Sequence, residues 1–314
     1  MFNQIREYIE KYDTIIIHRH KNPDGDAVGS QVGLKNIIKD NYPDKRVFCV
    51  GDKAGRFGFV EGSDTDEILD GEYEGALAII LDTSAKSLIS DERYSLAAET
   101  VRIDHHIFCE NIADFEITDT TYESCCGLVA AIAMACGWEV SSAAAKALYT
   151  GMITDSGRFR YDSTSAETFR VASFLMDKKF STADIYRNLY TDDFAFIKLR
   201  AQFVLKIQFS DNGKVAYIYT PLAEAESYPF DMFTISRGMV NVMAEIRGVD
   251  IWVNFTESRE GVYTEIRSGS YNINPIAKKY GGGGHAKASG ATLANKDSAM
   301  AMLSDLEKMT EGYE

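Results

Sequence analysis

The chain has 314 residues, enough for about two domains of ordinary size. Its hydrophobic content of 45% is typical of a globular protein, and no apolar run approaches the roughly 18 residues that a membrane span needs. The formal net charge of -14 disfavours a protein that coats long nucleic acid, because such binding depends on many lysines and arginines. The first segment, MFNQIREYIEKYD, is typical of a helix rather than a signal peptide, so we expect a cytoplasmic protein.

Residues 1–185 alternate short apolar runs with helical patterns. The runs that predict buried parallel strands are TIIIH (14–18), RVFCV (46–50), ALAIIL (76–81) and TVRID (100–104). Helices are predicted for AVGSQVGLKNIIKD (27–40) and SCCGLVAAIAMACG (124–137). Strands and helices in alternation predict an α/β domain with a parallel sheet covered on both faces.

The remainder of the chain has a different pattern. A helical linker is predicted for 186–210, nearly all of which belongs to the polar and aromatic helical segment 181–209. Beyond it, GKVAYIYT, VDIWVNFTE and GVYTEIRS alternate apolar and polar residues with a period of two. We therefore expect residues 211–314 to form a smaller α/β domain with a mixed, half-exposed sheet.

The five cysteines form neither a paired framework nor the CxxC spacing of a zinc site. They are Cys49, Cys109, Cys125, Cys126 and Cys136. We expect them to be reduced and mostly buried thiols.

Polar side chains follow three of the predicted strands at their carboxyl ends, and a further acid follows a helical segment. They are His20, Asp24 and Asp26, then Asp82, then Asp104, His105 and His106, and finally Asp155. In open parallel sheets ligands bind beyond the carboxyl ends of the strands, so we expect these side chains to meet in one site. Clustered acids in a sheltered cleft need a cation, which predicts a metal site.

These residues also have plainer interpretations. The segment NPDGD is typical of a tight turn, in which Gly25 would provide the bend between Asp24 and Asp26. That turn is compatible with metal binding, because it would aim both carboxylates at one centre. Asp82 and Asp155 are each also typical of a helix cap.

The ligand types narrow the choice of metal. Carboxylates with imidazoles and no thiolate favour Mn²⁺, with Mg²⁺, Co²⁺ or Fe²⁺ as alternatives, and argue against structural zinc. The acids exceed what one ion requires, so two divalent ions sharing a carboxylate are expected. His18 lies inside a buried strand run and is expected to be a packing residue rather than a ligand.

Several motifs resemble a known family. The first domain carries HKNPDGDA, LDTS, DHH and TDSGRF in this order, which resemble the DHH phosphoesterase superfamily of RecJ-like exonucleases, family II pyrophosphatases and cyclic dinucleotide phosphodiesterases. The second carries EIRS (265–268) and GGGGHAKASGA (281–291) and looks like the DHH-associated C-terminal domain. Over nearly its whole length the chain is similar to the NrnA-type enzymes, which degrade very short RNA and in many cases remove the 3′-phosphate of phosphoadenosine phosphate.

The resemblance implies a role for each residue of the predicted site. His20 and Asp24 would hold one ion, Asp26, His105 and Asp155 the other, and Asp82 would bridge them. Asp104 would support the site from behind the ligands, and His106 would face the scissile phosphate. Asp82, Asp104 and His106 are thus the expected catalytic residues.

The resemblance also implies a phosphate-binding group in the second domain. Its expected members are Arg267, Ser268, Gly282, Gly283, Gly284 and His285. Glycines allow backbone N–H groups to approach a phosphate closely. Relatives usually have proline or a polar residue after the histidine, whereas this chain has Ala286.

The sequence therefore predicts a two-metal phosphoesterase that degrades very short oligoribonucleotides to mononucleotides, with phosphoadenosine phosphate as a second substrate. A cyclic or linear dinucleotide phosphodiesterase is one alternative. A non-catalytic nucleotide-binding protein is another, and a pyrophosphatase is weaker because the glycine-rich tail suits a nucleotide better. We expect no membrane partner and no long duplex, and a homodimer stays open.

Overall fold

The computed structural model describes residues 2–311, and the chain divides into two compact units, 1–191 and 192–314. The division lies within the segment 186–210 that the sequence predicts as a helical linker. A helix precedes the division in the first unit, and another follows it in the second unit. Among residues 2–311 no helix combines the length and the apolar character that crossing a bilayer would require.

The first unit contains a parallel sheet of five strands. They are β1 (Thr14–His18), β2 (Arg46–Cys49), β3 (Leu77–Leu81), β4 (Glu99–Asp104) and β5 (Phe115–Thr118). Its helices are α1 (Phe2–Lys11), α2 (Gly25–Asn41), α3 (Cys125–Cys136), α4 (Ser142–Asp155), α5 (Ala166–Met176) and α6 (Thr182–Tyr190). The parallel α/β fold predicted from the sequence is thereby confirmed.

The strand order β2-β1-β3-β4-β5 determines where a ligand can bind. The chain passes from β1 to β2 on one side and later returns to β3 on the other side of β1. The order therefore reverses between β1 and β3, and the crevice beyond the carboxyl ends of these strands is the preferred binding position in such sheets. Five of the six predicted metal ligands follow β1, β3 or β4, and the sixth, Asp155, ends α4.

A buried apolar core supports this edge of the sheet. Alternate residues of the central strands, such as Ile15 and Ile17 of β1, pack under α2, α3 and α4. All five cysteines are free thiols, and all but the exposed Cys109 are buried, as expected from the sequence. His18 is also fully buried, with its Nε2 3.4 Å from the hydroxyl of Tyr73, and so is a packing residue.

The second unit contains a mixed sheet of six strands, in the order β10-β11-β9-β8-β7-β6. They are β6 (Gln208–Phe209), β7 (Val215–Thr220), β8 (Ile251–Ser258), β9 (Gly261–Ser268), β10 (Gly283–Gly284) and β11 (Ala288–Leu293). Its helices are α7 (Phe194–Leu205), α8 (Leu222–Ala225), α9 (Asn274–Lys279) and α10 (Lys296–Thr310). Only β7 and β8 run parallel, so the predicted mixed sheet is confirmed.

Some elements were not predicted. β5 is short and only partly buried, so it lacks the apolar run that marks the other parallel strands. The strands β10 and β11 lie in a glycine-rich segment whose composition is more typical of a loop. Their pairing depends on a neighbouring strand rather than on their own propensity.

Candidate metal centre

Asp24 and Asp26 lie at the start of α2, not on the two arms of a turn. Asp24 precedes the helix, and its Oδ1 accepts hydrogen bonds from the N–H groups of Asp26 and Ala27 at 3.0 and 3.1 Å. The bend expected at Gly25 is wrong, because Gly25 is the first residue of α2. An added Cβ there would lie 2.4 Å from Oγ1 of Thr154, so the glycine is required by the close approach of α2 to α4.

The amino terminus of α3 holds the side chain of Asp26. The N–H of Cys125 donates to Oδ2 at 2.7 Å, and the N–H of Cys126 donates to Oδ1 at 2.8 Å. Both donors lie in the first turn of the helix, where the helix dipole and unpaired N–H groups favour a negative charge. A carboxylate that is only 1% exposed is thereby oriented while each oxygen keeps a lone pair for a cation.

Asp82 occupies a strained position directly after β3. Its φ of 51° lies in the left-handed region, which costs a residue other than glycine about 1–3 kcal/mol. The side chain is 2% exposed, and its Oδ1 has no hydrogen-bond donor among residues 2–311. Asp82 does not cap a helix, because the next helical turn begins after Ala85. Strain and a buried acceptor without a donor at one residue indicate a functional constraint.

The structure brings the six predicted metal ligands together. Three groups of ligand atoms each lie within 4.8 Å of one another: His20, Asp24 and Asp82; Asp26, His105 and Asp155; and Asp82, His105 and His106. Asp82 joins the first two groups, with Oδ2 3.5 Å from Nε2 of His20 and Oδ1 3.5 Å from Nε2 of His105. Asp155 is the last residue of α4 rather than a cap, and its Oδ2 lies 3.4 Å from the same nitrogen of His105.

Backbone carbonyls orient His20 and His105, the two predicted ligand histidines. Nδ1 of His20 lies 2.8 Å from the carbonyl oxygen of Lys21, and Nδ1 of His105 lies 3.4 Å from that of Tyr122. In each ring Nε2 therefore faces the carboxylates. This is the usual arrangement of metal-binding histidines, which donate the other ring N–H to a carbonyl or carboxylate.

His106 lies beside this cluster and points differently. Its Nδ1 is 2.7 Å from Oδ1 of Asp104 and 3.6 Å from Oδ1 of Asp82. Asp104 is fully buried, whereas the side chain of His106 is 44% exposed. Burial alone would raise the pKa of Asp104, but His106 and Arg102 lower it, and Asp104 in turn raises the pKa of His106.

The pKa values of the cluster indicate an excess of negative charge. Burial alone would lower the pKa of His20, yet Asp24 and Asp82 raise it to about 11, and the neighbouring carboxylates likewise raise the pKa of His105 to about 10. Burial and then the surrounding acids raise the pKa of Asp155 to about 6. Because the pKa values of imidazole and carboxyl groups are both raised, added positive charge is favoured within this cluster.

The donor set fits a hard divalent cation. All the gathered atoms are carboxylate oxygens and imidazole nitrogens, and burial keeps the pKa of the neighbouring Cys125 and Cys126 thiols well above their usual range. Oδ1 of Asp82, which is buried without a donor, is a position where a cation would supply the missing partner. Because the two ligand groups share one carboxylate, they suit a pair of ions better than a single ion.

Comparisons with known proteins agree with this geometry. Residues 14–152 match the model of the DHH family, N-terminal domain, and residues 232–312 match that of the DHHA1 domain. The chain is 33% identical, over 100% of both chains, to the bifunctional oligoribonuclease and PAP phosphatase NrnA of Bacillus subtilis. It is 35% identical to a Streptococcus mutans protein named probable bifunctional oligoribonuclease and PAP phosphatase NrnA, over 98% of this chain and 99% of that one.

The chain belongs to the DHH family. It is accordingly a metal-dependent hydrolase of phosphate esters. The crystal structure of an exopolyphosphatase-related protein from Bacteroides fragilis is similar to it throughout, with a TM-score of 0.85, 27% identity and coverage of 98% of this chain and 95% of that one.

The DHHA1 domain contains the predicted phosphate-binding residues, which are only partly available to a ligand. Arg267, on β9, donates to the carbonyl of Ile266 and lies 3.1 Å from a carboxylate oxygen of Glu265. The hydroxyl of Ser268 is buried and donates to the carbonyl of Asp250 at 3.1 Å. His285 is exposed, directly after β10.

The glycine tract forms backbone contacts rather than an open loop. The N–H of Gly282 donates to the carbonyl of Ala277 at 2.8 Å, and an added Cβ would lie 2.1 Å from the carbonyl oxygen of Gly290. This N–H is therefore engaged, which corrects the expectation that Gly282 offers it to a phosphate. Gly283 and Gly284 pair with β11, so close packing of strands accounts for at least part of the tract.

Sequence reasoning missed three sets of groups that hold the predicted metal ligands and Asp104 in place. They are the peptide N–H groups of Cys125 and Cys126, the carbonyls of Lys21 and Tyr122, and the side chain of Arg102. Backbone groups leave no trace in the sequence. Arg102 did leave a signal, because a charged residue inside the otherwise apolar run TVRI is unusual in a buried strand.

Proposed function

We propose that this chain hydrolyses RNA fragments of a few nucleotides to mononucleotides and also removes the 3′-phosphate of phosphoadenosine phosphate. The observation that carries the proposal is the pair of ligand groups joined by Asp82, with His106 beside them. Full-length likeness to proteins named oligoribonuclease and PAP phosphatase supports the choice of substrates. Location in the cytoplasm and assembly into a homodimer stay predictions.

We propose that the metal cofactor is two Mn²⁺ ions. His20 and Asp24 would hold one, Asp26, His105 and Asp155 the other, and Asp82 both. When bound, such ions supply a water of lowered pKa as the nucleophile and offset the negative charge of the phosphate oxygens. Mg²⁺, Co²⁺ and Fe²⁺ also accept this set of oxygen and nitrogen ligands and are tested beside Mn²⁺.

The protein side chains have separate tasks in this reaction. Asp26 is held by two peptide N–H groups and so presents its charge at a fixed place. His106 directs Nδ1 to Asp104, whose carboxylate raises the pKa of the ring. In the protonated ring Nε2–H is the donor that can hydrogen-bond the scissile phosphate or give a proton to the departing oxygen. Water adds to phosphorus, the phosphorus–oxygen bond to the leaving nucleoside breaks, and the leaving oxygen takes up a proton.

We propose that Arg267 and His285, with Gly283 and Gly284, bind a phosphate of the substrate other than the scissile one. An arginine can form charge-assisted hydrogen bonds to a phosphate, and Arg267 would exchange its contact with Glu265 for that interaction. His285 is exposed and adds a further donor.

The test is a substrate panel with purified protein and each metal. The substrates are a ribonucleotide dimer, a ribonucleotide pentamer, a long RNA, phosphoadenosine phosphate, and cyclic and linear di-AMP. We expect rapid release of mononucleotides from the dimer and pentamer, slower action on the long RNA, and phosphate release from phosphoadenosine phosphate. Asp82→Asn should abolish turnover of every substrate, and Asp177→Asn, an exposed acid of the same unit, should not.

Two outcomes would contradict the proposal. Protein that binds Mn²⁺ but leaves both the dimer and phosphoadenosine phosphate intact would exclude these activities. Faster hydrolysis of cyclic di-AMP than of the linear substrates would favour the cyclic dinucleotide phosphodiesterase that the sequence leaves as an alternative.

A further inference from the structure

Arg102 is a fully buried arginine of the parallel sheet, on the strand beside the edge strand β5. It lies on β4, two residues before Asp104, so strand alternation directs both side chains to the same face. The residues between and before them, Ile103 and Val101, point the other way into the main core. An arginine is rarely buried completely unless its charge is paired, so its partners identify its role.

The guanidinium of Arg102 joins two carboxylates. Nη2 donates to Oδ2 of Asp104, and Nη1 lies 3.4 Å from Oε2 of Glu116 and 3.2 Å from the carbonyl of Glu110. Glu116 is directly opposite Arg102 in the pairing of β4 with β5. Its other oxygen, Oε1, accepts the N–H groups of Ile112 and Ala113, so the Glu116 carboxylate is itself fixed.

The two oxygens of Asp104 have different partners. Oδ2 is held by Arg102, and Oδ1 lies 2.7 Å from Nδ1 of His106. A buried carboxylate has little freedom to rotate when one of its oxygens is held by a guanidinium group, because the N–H donors of that group have a fixed planar geometry. The ring of His106 is therefore fixed with Nδ1 inward and Nε2 outward. The chain of contacts runs from Glu116 through Arg102 and Asp104 to His106.

We propose that Arg102 and Glu116 are positioning residues that fix the ring orientation and the tautomer of His106 through Asp104. The inference rests on the proposed function in one respect, which is that His106 Nε2 meets the scissile phosphate. Within residues 2–311, no hydrogen bond or ion pair joins either residue to a predicted metal ligand. A purely structural pair between β4 and β5 would contribute to stability but would not determine which nitrogen of His106 carries the proton.

The experiment removes both charges of the pair together. The double variant Arg102→Gln with Glu116→Gln keeps the net charge and leaves Asp104 without its cation. The matched control is Arg46→Gln with Glu72→Gln, an arginine–glutamate ion pair of the same unit in which the arginine lies on β2. We expect the kcat of the first double variant for a ribonucleotide dimer to fall by about 10-fold or more, with KM and metal affinity within about threefold. The control should keep the wild-type kcat.

A second measurement does not depend on activity. Nitrogen NMR of uniformly labelled, metal-free protein distinguishes Nδ1–H from Nε2–H for each of the five histidines, and His106→Gln assigns the signal. We expect the neutral His106 ring to carry its proton on Nδ1 in the wild type and in the control, and to populate both tautomers in the Arg102 and Glu116 double variant. Arg102→Lys keeps a cation near Asp104 but has no fork, and should give intermediate results.

The outcomes separate this inference from the proposed function. An unchanged kcat together with an unchanged tautomer in the double variant would overturn the inference while leaving the activity intact. A wild-type protein inactive on the whole panel would overturn the proposed function, and the NMR measurement would still decide the role of Arg102. If the double variant fails to fold, Arg102→Lys decides, and a wild-type tautomer and kcat there would overturn the inference.

Discussion

Replacing Asp82 with asparagine should abolish most of the stabilisation that divalent cations give to the first unit. The carboxylate is 2% exposed, its Oδ1 has no hydrogen-bond donor among the described residues, and its two oxygens each lie 3.5 Å from a different ligand histidine. An amide keeps the size of the side chain but removes its charge and one of the two oxygens. Both ligand groups therefore lose a member through a single substitution.

The size of the effect follows from linkage. A cation present at about 100 times its dissociation constant, and bound only by the folded state, stabilises that state by about 2.7 kcal/mol. For a unit of this size each kcal/mol raises Tm by about 2–4 °C, so the wild type should gain about 5–10 °C from one bound ion. Because Asp82 belongs to both ligand groups, Asp82→Asn should gain less than about 2 °C at the same cation concentration.

The assay is thermal unfolding with and without Mn²⁺ after treatment with a chelator. Asp177→Asn, which removes an exposed acid elsewhere in the same unit, should respond to Mn²⁺ like the wild type. Two results would refute the reasoning. A full Mn²⁺ response in Asp82→Asn would mean that Asp82 is not a ligand, and a wild type unresponsive to Mn²⁺, Mg²⁺, Co²⁺ and Fe²⁺ would mean that the cluster does not hold these ions.

Further predictions concern packing and substrate binding. Burial lowers the pKa of His18 to about 4 from its usual 6.5, so between these pH values the unfolded chain binds a proton that the native state excludes. Lowering the pH through this window should therefore reduce the free energy of unfolding by up to about 3 kcal/mol. Urea titrations of His18→Phe should show a smaller reduction. Gly25→Ala should destabilise the chain by about 1–3 kcal/mol in the same titration, because its Cβ would overlap Thr154, and an unchanged midpoint would contradict the close approach. Arg267→Gln should raise KM for phosphoadenosine phosphate by about 10-fold without changing Tm, and an unchanged KM would exclude this arginine from phosphate binding.

The grouping of the predicted metal ligands could be inferred from the sequence for a physical reason. A parallel sheet places the carboxyl ends of its strands at one edge, so residues that directly follow β1, β3 and β4 must lie near one another whatever the detailed packing. Asp26 and Asp155 required more, because each lies on a helix. Their order in the DHH family motifs, rather than spacing alone, assigned them to the same group as His105.

The contacts that support these residues could not be predicted from the sequence in this way. The N–H groups that hold Asp26 come from residues about one hundred positions later in the chain, and the partner of Arg102 depends on the register of β5, a strand with no clear apolar pattern. The role of Gly25 was misjudged for a similar reason. Glycine beside proline and aspartate is typical of a turn, whereas here the constraint is Thr154, a residue of a distant helix.

The strain at Asp82 and the charge at the site have a common explanation. A left-handed φ at a buried acid and an oxygen without a donor are both unfavourable in the metal-free chain, and the raised pKa of His20 and of His105 indicates that protons reduce the excess negative charge there. A cation held by these residues would remove the need for those protons and would give the Asp82 oxygen a partner. The surrounding fold would then maintain an arrangement that is costly without a cation because the arrangement is complementary to bound ions. Stability of the first unit and catalytic competence should therefore depend on the same metal, and variants such as Asp82→Asn should lose both together.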